Sequence, residues 1–317
     1  MSYSNQLTLW ILPCAAAVSC LVAGCADSGA AADRAVADRA LPKKFRSLLP
    51  LHTPLGKPKP GDWLAEHEEH GQTYSQYLRA NPVRPDSKLR TIYIQPLGDY
   101  NPTQQKTLDL TIEFMEIYFG LPVTAREAVS LDVLPDEARR KHPQSGTDQI
   151  SSTWIIFQVL PPRLPSDGVA ILALTTSDLW PGKGWNFVYG QASLVHRTGV
   201  LSIHRNGDPT ENDAAFRLCL RRTLQTATHE TGHMLSMSHC TRFECNMCGS
   251  NHREESDRRP LALCPHCLAK LCHATKVDPA ARFEKLAAFC ETNGLKKEAE
   301  FYRKSLDVVA PARQSRR

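Results

Sequence analysis

HETGHMLSMSHCTRFECNMCGSNHREESDRRPLALCPHC, running from His229 to Cys267, is the stretch that decides how this chain folds. His229, Glu230 and His233 form an H-E-x-x-H element. On a helix the i, i+4 spacing sets both imidazoles on one face, one turn apart, so the pair makes half of a zinc site. The other ligand has to come from beyond the helix. His239 follows after a turn expected at Ser236, which lets the chain double back beneath the metal. Three histidines leave one coordination position open to water, the feature that separates a catalytic zinc from a structural one. Zinc lowers the pKa of water bound there to near neutrality, and Glu230 is placed to take the proton as general base.

An isolated H-E-x-x-H also arises by chance in polar helices. Here Cys240, Cys245, Met247, Cys264 and Cys267 follow it, giving a C-x4-C pair and a C-x-x-C pair whose four thiolates suit a closed structural zinc site. Together these residues resemble the archaemetzincins, whose pattern is H-E-x-x-H-x-x-G-x-x-H-C-x4-C-x-M followed by C-x-x-C. The resemblance implies a metallopeptidase with two Zn2+ per chain, acting on a peptide or protein substrate. It makes His229, His233 and His239 the ligands of the catalytic zinc and Glu230 the catalytic base and acid. Met247 becomes the Met-turn residue beneath the metal, and Cys240, Cys245, Cys264 and Cys267 the ligands of the structural zinc. One position departs from the pattern: Ser236 stands where the family has glycine. A positive φ there costs serine on the order of 1 kcal/mol, which a well-packed turn absorbs.

The chain has 317 residues, 42% of them apolar, enough to bury a core. Its 38 basic and 33 acidic residues are interspersed and leave a net charge of only +5, which argues against a nucleic-acid partner. Residues 1–24 carry no charged side chain and contain the apolar run Leu7 to Ala23, which fits a signal-peptide h-region. Val22-Ala23-Gly24-Cys25 resembles a bacterial lipobox. Cleavage before Cys25 would free that residue for lipidation, so the expectation is an exported lipoprotein held at the membrane surface without spanning it. An uncleaved anchor is the alternative. Residues 25–60, with the ADRAVADRA repeat and Pro50, Pro54, Pro58 and Pro60, read as a flexible tether. Ordered structure is expected from Gly61, and His67 and His70 read as surface residues of a charged segment.

Strands and helices are mixed along the chain, so the expected fold class is α+β. Thr91 to Leu97 is a strand rich in β-branched residues. A helix follows, capped by Asn101 with Pro102 and Gln104 behind it, and Leu108, Ile112, Met115 and Phe119 make its apolar stripe. The runs 154–160, 169–174 and 200–204 read as further strands. Residues 185–192, alternating Trp185, Phe187 and Tyr189, again resemble archaemetzincins, in which this region is the strand above the cleft; a free edge there suits an extended peptide. The site helix is expected to open at Thr210 with Asp213 completing a capping box. Arg217, Arg221 and Arg222 read as its solvated face, Cys219 as a buried apolar residue, and Cys248, Cys272, Cys290 and His266 as possible competitors for the second zinc. After residue 275 comes a helical hairpin, opened by Asp278 and Pro279 and broken at Asn293-Gly294, then a basic tail.

The expected architecture is thus a metzincin-like mixed sheet with an active-site helix and a cysteine-zinc subdomain over 61–275, and the hairpin and tail over 276–317. A competing function is a non-catalytic two-zinc binding module at the membrane surface. Glu230 argues against it, because a purely structural site has no use for a carboxylate beside an open coordination position.

Overall fold

The structure, a computed structural model, describes residues 35–310. The signal segment, Cys25 and the basic end of the tail lie outside the described residues. Among the described residues no helix is long and apolar enough to cross a membrane.

Eight strands are β1 (Thr91–Leu97), β2 (Val123–Ala125), β3 (Arg139–Lys141), β4 (Asp148–Ser151), β5 (Gly168–Thr175), β6 (Asp178–Trp180), β7 (Gly190–Ala192) and β8 (Thr198–Ser202). Five of them form one sheet in the order β2-β1-β5-β8-β7, while β3, β4 and β6 form a smaller one. The main sheet is parallel except for β7, which runs antiparallel to β8 at the edge. Its centre, GVAILALT, is buried throughout, as a parallel strand covered on both faces must be. Successive residues alternate between two cores: Ala170, Leu172 and Leu174 join the larger, Ile171 and Ala173 the smaller.

The larger core is covered by α1 (Pro102–Phe119) and α2 (Asp213–Met234). In α1 the expected cap forms in full: Asn101 accepts from the Gln104 N–H, Gln104 reaches back to the Asn101 N–H, and Gly120 ends the helix at φ 65°. Leu108, Met115 and Phe119 are buried, joined by Phe114 and Tyr118. The site helix α2 starts later than expected. Its cap is Asn212, whose side chain accepts from Ala214 and Ala215 N–H, while Thr210 is taken up by Asp208 at 2.9 and 2.6 Å.

Three further expectations need correction. The run 154–160 is helical, with Ser152–Trp154 leading into a π-helical turn over Ile155–Val159. A short apolar run carries no decisive period, and Ser151 settles the matter by accepting from the Trp154 N–H at 3.1 Å. In 185–192 only the last three residues form a strand; before them Arg140 donates to the Trp185 and Asn186 carbonyls, and Val188 makes a single bridge to Leu179. Within the stretch read as a tether, residues 41–55 pack against the rest of the chain, while 56–60 are exposed. Leu41, Phe45 and Leu48 are buried in the larger core, and Leu55 and Glu244 N–H bond to Arg242 and Thr53 across a two-stranded contact. Those three apolar residues stand at i, i+4, i+7, a helical stripe hidden among the prolines.

Helix α3 (Pro265–Thr275) carries Cys267 and is preceded by Cys264 at its N-cap, and α4 (Pro279–Thr292) and α5 (Lys296–Val309) form the hairpin. Asp278 caps α4 as expected, accepting from Ala281 N–H at 2.9 Å. The hairpin is no separate unit. Phe283, Leu286, Phe289 and Tyr302 belong to the larger core, and Arg282 donates to the Tyr118 carbonyl at 2.7 Å. Replacing Leu48 by Ala should therefore cost about 2–5 kcal/mol in chemical denaturation. A change within about 0.5 kcal/mol, typical of an exposed site, would return this segment to the status of a tether.

Candidate active site and metal centres

Helix α2 delivers His229, Glu230 and His233 in its last turns. The chain then reverses. Ser236 takes φ 67°, the left-handed conformation expected of a glycine there, and Met237 N–H returns to the Gly232 carbonyl at 3.1 Å. The turn is held from outside: Val83 N–H donates to Ser236 Oγ at 3.1 Å, Gln72 to the Ser236 carbonyl at 3.3 Å, and the buried Tyr77 hydroxyl to the Leu235 carbonyl at 2.9 Å. These bonds explain why serine is accepted at this position.

The reversal brings His239 back to the helix, and one ring nitrogen from each of His229, His233 and His239 lies within 4.8 Å of the others. Each Nδ1 is already engaged. His229 Nδ1 faces the Asn246 carbonyl at 2.7 Å, His233 Nδ1 the Met237 carbonyl at 2.7 Å, and His239 Nδ1 the Glu69 carboxylate at 2.9 and 3.0 Å. A carbonyl or carboxylate can only accept, so each Nδ1 carries the proton and each Nε2 presents a lone pair. The Nε2 atoms of His229 and His233 stand 3.0 Å apart, near the roughly 3.3 Å that tetrahedral zinc with bonds of about 2.0–2.1 Å requires. Burial, with His239 nearby, lowers His229 to about 4, and burial also holds His233 well below the usual range. Both are thus neutral at pH 7, the form that binds metal. The set fits zinc.

Glu230 is buried beside these rings, and burial pushes its carboxyl up to about 8. Strand β7 lies directly over it: a Cβ on Gly190 would meet Glu230 Oε1 at 2.6 Å and Thr226 at 2.8 Å. Below the helix, Met247 is fully buried, and a Cβ on Gly232 would meet its sulfur at 2.5 Å. The Met247 carbonyl accepts from Cys240 N–H at 2.8 Å, coupling that turn to the residue after His239. A cleft of about 770 Å³ opens above, lined among others by Trp63, Glu69, Trp185, Tyr189 and Gln191.

The sulfurs of Cys240, Cys245, Cys264 and Cys267 gather within 4.8 Å, all buried, and all the described cysteines are free thiols. Cys240 and Cys264 Sγ are 3.7 Å apart; zinc with bonds of about 2.3 Å separates tetrahedral sulfurs by roughly 3.8 Å. Cys264 and Met247 N–H both point at Cys245 Sγ, at 3.2 and 3.5 Å. This set also fits zinc. The competitors fall away: Cys248 Sγ turns to the Phe243 carbonyl, His266 bonds Asp38 at 2.7 Å, and Cys272 and Cys290 are not in the cluster. Cys219 is buried as expected.

Arg221 and Arg222 are not a solvated face. They pair with Glu298 and Asp257, each at 2.6 Å. A further group, Asp62, His252 and Glu255, belongs to an ion-pair network, since Arg258 holds Asp62 at 2.6 Å and Arg259 holds Glu255 at 3.1 Å. Sequence reasoning passed over Glu69; His67 is half-buried, its ring tilted against Trp63 at 4.1 Å and stacked on Trp185 at 6.0 Å. The only local sign was the run His67-Glu68-Glu69-His70, dense in metal-site residue types.

The model of peptidase family M54 matches residues 165–273. The chain is 31% identical over 279 residues to archaemetzincin-2 of Homo sapiens, covering 78% of this chain and 77% of that one. To the archaemetzincin of Archaeoglobus fulgidus it is 31% identical over 180 residues, covering 57% of this chain and 98% of that one. The crystal structure of that archaeal protein covers 57% of this chain and 99% of its own at 28% identity and a TM-score of 0.45. The long stretch shared with the human relative carries the assignment: this chain belongs to the archaemetzincin family of zinc metallopeptidases.

Proposed function

We propose that this peptidase hydrolyses peptide bonds at the three-histidine centre, with His229, His233 and His239 as zinc ligands and Glu230 as the proton-transferring residue. The observation that carries it is the convergence of three Nε2 lone pairs, each fixed by an engaged Nδ1, beside one buried carboxylate. Zinc held there would supply a Lewis acid that polarises the scissile carbonyl and acidifies water. Glu230 takes the proton from the attacking water and passes it to the departing amine.

The substrate lies along β7. This strand is the antiparallel edge of the sheet, its outer N–H and C=O groups have no ladder partner among the described residues, and Gly190 brings its backbone close to Glu230. An extended peptide paired there by main-chain hydrogen bonds would pass close to Glu230. Cys240, Cys245, Cys264 and Cys267 would hold a second, closed zinc, which would fasten residues 240–267 and steady Met247 and His239.

Replacing Glu230 by Ala removes the base and no ligand. Zinc content and melting temperature should stay, while cleavage of a mixed peptide library drops by about 100-fold or more. Wild-type cleavage by that variant would overturn the assignment of Glu230 and favour a binding role for the cleft.

We also propose that the mature chain is a lipoprotein anchored through Cys25, on the strength of the Val22-Ala23-Gly24-Cys25 sequence. Cys25→Ser protein, expressed in the native host, should move from the membrane fraction to the soluble one. Unchanged retention would point to the uncleaved anchor instead.

A further inference from the structure

We infer that Glu69 is a positioning residue of the metal centre, the outer carboxylate that aims His239 at the zinc, which makes the segment before β1 part of the active site. The inference rests on the reading of His239 as a zinc ligand.

The three histidines differ in what holds them. His229 and His233 ride on a 22-residue helix, and their outer partners are the main-chain carbonyls of Asn246 and Met237, which no side-chain change removes. His239 stands beyond the turn, on a segment with no helix or strand of its own. Its outer partner is a side chain, with both Glu69 oxygens within 3.0 Å of Nδ1. That partner alone among the three carries a negative charge. A carboxylate on Nδ1–H fixes the tautomer and ring angle and makes Nε2 a stronger donor to a metal.

The surroundings of Glu69 are built to deliver it. Trp63 sets its ring edge-on against His239, with centroids 5.3 Å apart. Gln72, close behind Glu69 in sequence, bonds the Ser236 carbonyl at 3.3 Å and accepts from Ser238 N–H at 3.4 Å, so it grips the loop on the approach to His239. Tyr77 and Val83 then fasten Leu235 and Ser236. One stretch of chain, far from the H-E-x-x-H motif in sequence, thus locks the loop and supplies the carboxylate.

A surface ion pair would be the plainer account, and the two make different forecasts. The Glu69 side chain is 27% exposed and that of His239 18%, so solvent screens their attraction and the pair adds little to folding. Loss of Glu69 should then leave the fold and weaken one metal. The test uses the full chain and the metal alone: zinc affinity by chelator competition, and the visible spectrum of the cobalt-loaded protein, for wild type, Glu69→Ala, Glu69→Gln and His239→Ala. Glu69→Ala should bind the weaker-held zinc roughly 10–100-fold less tightly and alter the cobalt spectrum, with the tightly held zinc and the melting temperature unchanged. Glu69→Gln keeps a hydrogen-bond acceptor but not the charge, and should fall between Ala and wild type. Wild-type affinity and spectrum in Glu69→Ala, alongside loss of that metal in His239→Ala, would overturn this inference and spare the ligand assignment. Unchanged metal binding in His239→Ala would overturn both.

Discussion

A single backbone reversal at Ser236 governs this structure. Helix α2 can offer only two histidines to one point, and the third arrives because the chain turns left-handed one residue after the helix cap and comes back beneath it. Left-handed serine costs on the order of 1 kcal/mol relative to glycine. Its hydroxyl accepts from Val83 N–H, and one such hydrogen bond contributes about as much. The turn and the segment before β1 therefore depend on one another, and the segment that steadies the turn also carries Trp63 and Glu69 into the cleft.

The sheet sets the other half of the site. β5 and β8 are buried on both faces, and the sheet ends at β2 on one side and at β7 on the other, with β7 passing over the end of α2. Glycine at 190 permits that approach, and glycine at 232 permits the matching approach of Met247 from below. Glu230 is enclosed between these layers, which is why burial raises its pKa so far. The four-cysteine cluster pins the returning chain to α3, whose other neighbours include the N-terminal residues Leu41, Phe45 and Leu48.

The parts legible in the sequence were those with local causes. Strand β1, the capping box of Asn101 and Gln104, the Asp278 cap and the left-handed position at Ser236 each follow from residues within a few places of one another. The histidine and cysteine spacings were legible because metal geometry constrains them tightly. Other parts depended on distant partners. The stripe of Leu41, Phe45 and Leu48 was hidden by the neighbouring prolines, and the hydrogen bonds that fasten Thr53 and Leu55 come from Glu244 and Arg242 far along the chain. The helix at 152–159 hung on one serine cap, and the irregular backbone before β7 on Arg140. Glu69 had no spacing rule to reveal it, since its partner is 170 positions away.

The central claim is that this chain builds two unlike zinc sites, one open and one closed, on either side of the reversal. Zinc-edge X-ray absorption on the purified protein, combined with metal analysis, tests it most directly. Two zinc ions per chain are expected, with a fit that divides into one site of nitrogen and oxygen ligands at about 2.0–2.1 Å and one of four sulfurs at about 2.3 Å. A single zinc, or two zincs without an all-sulfur site, would contradict the account.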